Sequence, residues 1–231
     1  MTADHPAFDT SSTLLPPRLV RAVQSTDDDL ECSLHYLPKP LMREFGHVFN
    51  DEYLKFTTAE LSTSSGDASL RLMAIPTNQR AREDLVAVGD HIEQEKDRLL
   101  NVVSIFFNWT QQYDSIQFLL KYLFSIATYL TRQFISFGKR ICEQIRLQGY
   151  WADYIDPCSG LPMISLNCNK VYSEVDGMEC LLNYKSYNAG FCKILTHPKW
   201  GSAVYPATIF AHAPVDVVKR LIESLPSRET A

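Results

Sequence analysis

Twelve consecutive residues, Gly149-Tyr150-Trp151-Ala152-Asp153-Tyr154-Ile155-Asp156-Pro157-Cys158-Ser159-Gly160, constrain the fold more than any other part of the chain. Before them, Phe134, Phe137, Ile141 and Ile145 recur at spacings of three and four, the stripe of an amphipathic helix. Gly149 is a natural end for that helix. An aromatic strand follows, and Asp156-Pro157 turns it. Elsewhere helices and strands mix without regular alternation, so the pattern predicts an α+β fold and not a doubly wound one.

The rest of the chain supplies the other elements. Leu30 to Leu37 reads as a strand with Cys32, Leu34 and Tyr36 on one face. Pro38 to Phe49 reads as a helix through Leu41, Phe45 and Val48. Thr57 to Gly66 is a Ser/Thr-rich loop. Leu70 to Ile75 is a strand closed by Pro76, and Gln79 to Leu100 a charged helix. Later strands are expected at Leu161 to Leu166, Phe191 to Leu195 and Ser202 to Ala211. Pro198-Lys199-Trp200-Gly201 is expected to turn the last two into a hairpin. Pro214 opens a final helix with Val215, Val218, Leu221, Ile222 and Leu225 on its apolar face.

Residues 1–29 are rich in Ser, Thr, Pro and Asp and are expected to form a disordered tail. Residues 30–231 form a single domain. Leu14 to Arg21 carries two arginines among apolar residues, faintly like a mitochondrial presequence, but Asp4 and Asp9 precede it.

Composition removes several function classes. The net charge is −5 and there is no Lys/Arg run, so no nucleic-acid partner is indicated. The nine glycines include no pair one residue apart, and phosphate-cradling loops need clustered glycine. The six cysteines form no Cys-x-x-Cys, and no histidine sits at zinc-finger spacing, so no metal site is expected.

Val103 to Gln133 stands apart. Its 31 residues hold eight aromatics, no Gly or Pro and three charges. Excising it joins Val102 to Phe134 and continues the helical stripe from Leu99, whereas 31 residues are not a whole number of helical turns. The preferred reading is a retained intron. The alternative is a genuine amphipathic insertion for a membrane surface; its polar residues rule out a membrane span.

The segment 149–160 closely resembles one in the cobalamin trafficking family named for methylmalonic aciduria and homocystinuria type D, the CblD family. A second match lies at Gly190-Phe191-Cys192-Lys193-Ile194, with His197 and Trp200-Gly201. The resemblance covers about Leu30 to Leu225, apart from the insertion. It implies a nitroreductase- or flavin-reductase-like sheet with flanking helices. It also implies a non-enzymatic adaptor that binds no cofactor alone. Cobalamin would be met on a CblC-type partner in a heterodimer. The cofactor would then pass to methionine synthase in the cytosol or to methylmalonyl-CoA mutase in mitochondria, and the compartment could be either.

In that family a cysteine thiolate reaches cobalt on the partner-bound cofactor. The cysteine is the first of a Gly-Cys-Cys-Lys stretch, and Phe191 stands at its position here. Cys192 is the adjacent candidate, but neighbouring strand residues face opposite ways. It is therefore either a displaced ligand or a buried, inert core thiol. Cys180 and Cys158 are further candidates. Glu174 and Asp176 match acidic positions ahead of the cysteine strand and, with Gly190 and Phe191, are the partner-facing candidates; the plainer reading is solvated loop acids. Tyr150, Trp151, Asp153, Asp156, Pro157, Gly160, Trp200 and Gly201 read as structural, and His197 as a turn cap. No acid–base role falls to Asp153 or Asp156, which lack a nearby His or Ser with which to build a catalytic set. The competing functions are a flavin-dependent reductase on the same fold and a paralogue that has lost cobalt ligation.

Overall fold

Two eleven-residue strands, Leu70–Arg80 (β3) and Val204–Pro214 (β7), pair antiparallel along their whole length and form the spine of the protein. The computed structural model describes residues 12–20, 29–62, 70–81, 130–165, 168, 170–189 and 192–226. Thr13–Val20 (β1) and Leu30–Tyr36 (β2) flank β3, and Trp151–Tyr154 (β4) flanks β7. The sheet order is β1-β2-β3-β7-β4, with every neighbouring pair antiparallel. A second, two-stranded sheet consists of Lys185–Ala189 (β5) and Cys192–Thr196 (β6). The helices are Lys39–Val48 (α1), Asn50–Ser62 (α2), residues 130–147 (α3), Glu174–Leu182 (α4) and Val215–Glu223 (α5). The fold is α+β, as the sequence pattern requires.

Strand alternation sends the central residues to two buried faces. On one face Leu30, Cys32, Leu34, Met73, Ile75, Ile209 and Ala211 meet the stripes of α3 and α5. Phe134, Phe137, Ile141 and Ile145 of α3 are all at most 2% exposed, and Val218 and Ile222 of α5 are fully buried. Ala207, Ala211 and Ala213 leave room for the helices to approach. Gly138 does the same on α3, where a Cβ would lie 3.1 Å from the Tyr154 ring. On the other face Phe210 and Ala74 meet α1 and α4.

Several expectations change. Part of the tail is a strand, because Leu14, Leu15 and Val20 pack against the core although the average composition of residues 1–29 is polar. Its Pro16-Pro17 falls in a register break on an edge strand, where proline is tolerated. The expected loop from Thr57 is helical as far as Ser62, since α2 starts at Asn50 and runs on. Pro76 does not end β3. Thr208, its partner on β7, turns its own N–H and C=O towards β4 and α4, so the proline nitrogen faces β2. There the ladder omits Ser33 and Leu34, and no donor is missed.

Residues 161–165 of the expected strand Leu161 to Leu166 are not one, and Leu166 lies outside the described residues: the N–H groups of Ile164 and Ser165 go to the Asp153 carboxylate, and that of Met163 is shared between it and the Tyr154 carbonyl. The turn at Pro198–Gly201 exists, bridged by His197 and Gly201, but it does not join a hairpin. The strand before it pairs with β5 and the strand after it with β3 and β4, so the chain passes between sheets. Gln79 and Arg80 belong to β3; the remainder of the expected charged helix, residues 82–100, lies outside the described residues.

Residues 103–129 of the anomalous segment also lie outside them. Its last four, 130–133, are the first turn of α3, with Leu130 only 2% exposed. Excision would bring Leu99 to the position of Leu130, so either sequence offers a leucine to that core site.

Candidate functional site

The strand that carries Cys192 is held in place by α4. Ser173 caps this helix by accepting from the Asp176 N–H, and Asn183 ends it in the left-handed conformation at φ 54°. α4 then presents Asp176 and Glu179 to β6, where Lys193 Nζ donates to both at 2.7 Å. Ser186 of β5 donates to the other oxygen of Glu179. The Lys193 hydrogen bond holds the Asp176 carboxyl below its usual range. Asp176 is thus on the first turn of a helix, exposed and paired, rather than on a loop.

At the base of the hairpin lies a buried polar cluster. Glu31 of β2 is 4% exposed and accepts from Tyr184 Oη at 3.1 Å. His197 Nε2 lies 3.4 Å from the same oxygen. His197 Nδ1 accepts from the N–H groups of Lys199 and Trp200, which leaves Nε2 to carry the proton towards Glu31. His197 therefore caps the turn, as its position before Pro198 suggests. Its ring stacks on Trp200 at 4.0 Å between centroids. Burial works to raise the Glu31 carboxyl, but the hydrogen bonds from His197 and Tyr184 and the nearby Lys199 charge outweigh it and hold it low. Gly201 completes the turn at φ +59°. Cys192 is the first residue of β6, paired with Ala189, the last of β5; Gly190 and Phe191 lie outside the described residues.

Glu174 is not a loop acid. Its carboxylate reaches β7, accepting from Thr208 N at 3.0 Å and from Thr208 Oγ1 at 2.6 Å. Burial pushes its carboxyl up from an ordinary 4.5 to about 8, against the pull of the Thr208 hydrogen bonds. A group harder to ionise when folded contributes stability that is complete below pH 4.5 and lost as the pH rises through 8. Burial of His35 pushes its ring down from 6.5 to about 4, and this works in the opposite sense between those values. The Glu174 contribution is therefore read as a difference between proteins. The midpoint of urea unfolding in wild type should fall between pH 6.5 and 8 relative to Glu174→Gln, with a limiting slope of about 1.4 kcal/mol per pH unit. Parallel curves for the two proteins would refute the assignment.

The segment 149–160 is architectural. Tyr150 packs on the α3 core, and Trp151 sits among Phe45, Phe49 and Phe56. Asp153 is fully buried and accepts from Tyr154 N at 2.7 Å, Met163 N at 3.3 Å, Ile164 N at 3.0 Å and Ser165 N at 2.8 Å. Asp156 holds the turn through Pro157 by accepting from Cys158 N and from Ser159 N and Oγ. Gly160 closes it at φ +70°, where a Cβ would lie 2.4 Å from Val171 Cγ1 and 3.0 Å from the Tyr172 carbonyl.

The thiols differ in environment. Burial pushes Cys32 up to about 12 and Cys142 higher still, which makes both poor thiolates. Cys180 is half-buried on α4 and is also shifted up by burial. Cys158 is exposed, 3.3 Å from Tyr205 Oη and 3.2 Å from Thr131 Oγ1. The structure does not bring Cys158 into the hairpin cluster: its partners lie on the α3 face of the sheet.

This geometry is that of a hairpin mounted on a helix, with a sequence match around it. Residues 127–222 match the family model of the methylmalonic aciduria and homocystinuria type D protein. The match includes α3, β4, α4, the β5–β6 hairpin, β7 and nearly all of α5. Curated relatives named cobalamin trafficking protein CblD agree. The protein from Rattus norvegicus is 26% identical over 187 residues, 81% of this chain and 48% of its own. The one from Homo sapiens is 25% identical over 194 residues, 83% of this chain and 50% of its own. That from Gallus gallus is 24% identical over 187 residues. The chain spans about half the length of the curated relatives it matches. The CblD resemblance read from the twelve-residue segment and the second motif is therefore shown. The match begins within the anomalous segment, at residue 127, and so takes in the α3 turn at 130–133.

Among the described residues no helix is long and apolar enough to cross a membrane. Nor do three or more His, Cys, Asp or Glu converge among them as a metal site. Sequence reasoning missed the pinning roles of Lys193, Glu179 and Tyr184. One signal was available: Glu31 is an acid in a strand otherwise built for burial, which calls for buried partners.

Proposed function

We propose that this CblD-like chain is a non-enzymatic adaptor in cobalamin trafficking. It docks on a CblC-type protein that carries the cofactor and presents the tip of the β5–β6 hairpin to it. The observation that carries this reading is the family match spanning the hairpin, together with the double anchoring of Lys193, next to Cys192, on Asp176 and Glu179. Such anchoring fixes the start of β6 against α4, and a positioned donor loses less entropy on binding. A thiolate is a soft donor suited to cobalt, and Cys192 is the thiol at this place. Gly190, Phe191 and Asp176 then face the partner, whereas Glu174 acts from behind by tying α4 to β7. The cofactor passes to methionine synthase in the cytosol or to methylmalonyl-CoA mutase in mitochondria. An antiparallel sheet with helices on both faces also suits a nitroreductase-like ancestry.

Phe191 supports one other reading, a paralogue that docks without touching cobalt. The visible spectrum of cobalamin on a CblC-type protein, recorded while this chain is titrated in, separates the two. The adaptor reading with Cys192 as ligand predicts a thiolate-type shift that is lost in Cys192→Ser. A silent wild type, with a shift gained in Phe191→Cys, would assign the chain to the paralogue. Silence from all three proteins, with no complex in a sedimentation run, would overturn both.

A further inference from the structure

The base of the β5–β6 hairpin is held by one acid of the larger sheet. Tyr184 stands immediately before β5 and His197 immediately after β6, one step beyond the Lys185–Thr196 pair. Both reach the same atom: Glu31 Oε1 lies 3.1 Å from Tyr184 Oη and 3.4 Å from His197 Nε2. A single carboxylate oxygen of β2 therefore joins the two legs of the hairpin. The Tyr184 and His197 rings meet edge to face at 5.1 Å, and Lys199 Nζ stands 3.9 Å from the second Glu31 oxygen.

Among the described residues no ladder joins the hairpin to the five-stranded sheet. The buried apolar residues around its base are Met178, Tyr184 and Leu195, with Val204, the first residue of β7, from the larger sheet. A carboxylate in this place costs desolvation, and an apolar side chain of similar size would hold the layers together as well. What an apolar contact does not do is fix direction, which a hydrogen bond does. From Tyr184 to Ala189 the hairpin runs about 16 Å, at about 3.3 Å per residue. A ribbon held at one end is a lever. A turn of about 10° at Glu31 carries the far end through about 3 Å, and an error of about 1 Å is enough to spoil a ligand geometry. Glu31 also lies outside residues 127–222, which match the family model.

We infer that Glu31 is a positioning residue. By holding both legs of the hairpin it fixes where the tip stands relative to the larger sheet, and so sets the fit of the tip to a docked carrier protein. This rests on the reading of the hairpin as the docking element.

The experiment compares wild type, Glu31→Leu, Glu31→Gln and Tyr184→Phe by amide hydrogen exchange and by the cobalamin titration on a CblC-type protein. In Glu31→Gln the carboxamide oxygen takes the place of Oε1 and keeps both bonds, whereas leucine removes them at similar size. Exchange in residues 185–196 should be about tenfold faster in Glu31→Leu, near wild type in Glu31→Gln, and unchanged in β3 and β7 throughout. Tyr184→Phe frees one leg and should accelerate the same residues about threefold; it carries the test if Glu31→Leu does not fold. In the titration Glu31→Leu should need about tenfold more protein to reach half of the spectral shift, and Glu31→Gln no more than wild type. Unaltered exchange at 185–196 in both Glu31→Leu and Tyr184→Phe, acceleration spread equally over β3 and β7, or a Glu31→Gln as fast as Glu31→Leu would overturn the assignment. So would a wild-type shift whose midpoint Glu31→Leu leaves in place. A silent wild type would overturn the docking reading instead, and the exchange pattern alone then decides whether Glu31 positions the hairpin.

Discussion

Asp153→Asn is expected to cost about 3 kcal/mol or more and to leave the protein near the edge of stability. The carboxylate is fully buried and serves four backbone N–H groups, one in its own strand and three in the segment beyond the turn. An amide whose oxygen takes the place of Oδ1 still accepts from the Tyr154, Met163 and Ile164 N–H groups, but its NH2 then faces the Ser165 N–H. The two opposed donors are left without an acceptor, at about 1–3 kcal/mol each. Small domains have only about 5–15 kcal/mol to lose. The midpoint of urea denaturation measures the effect. A loss below about 1 kcal/mol would show that Asp153 is not what holds residues 163–165 against β4.

Phe45→Ala should destabilise by about 3–5 kcal/mol, the usual range for a buried aromatic truncated to alanine. Phe45 is fully buried, with Phe49 at 4.8 Å, Phe210 at 5.5 Å and Trp151 at 5.6 Å between ring centroids. It ties α1 to β7 and β4. The loss should therefore be accompanied by a change in the near-ultraviolet circular dichroism of Trp151. Phe45→Leu, which fills most of the space, should recover more than half of the stability. If alanine and leucine proved equally costly, ring packing would not be the cause.

The comparison between expectation and structure has a physical pattern. Elements whose signal is local were legible: α1 through Leu41, Phe45 and Val48, α5 through Pro214 and its apolar face, and β4 as an aromatic run between a glycine stop and an Asp-Pro turn. Elements decided by distant partners were not. β1 is a strand because β2 offers it a ladder and the core accepts Val20, neither of which a polar tail composition reveals. Pro76 looked like a strand end because a missing N–H matters only if a neighbour needs it, and the gap in the β2 ladder is visible only in three dimensions.

The site divides in the same way. The motif residues and their architectural roles followed from turn chemistry. That Glu174 points inward to Thr208 did not, because an acid in the first turn of a helix looks the same whether it meets water or a strand. Lys193 was visible only as a motif residue; its two carboxylates are 14 and 17 positions away in the chain.

The separation of the two sheets has an evolutionary consequence. Among the described residues no ladder joins the β5–β6 hairpin to the five-stranded sheet, and the hairpin is attached through side chains at its flank and base. Exchange of a residue at the tip, Phe for Cys included, alters no register in the load-carrying sheet. A substitution at the tip can therefore arise without a folding defect in the larger sheet, so the hairpin is a place where sequence can vary at little cost to the scaffold.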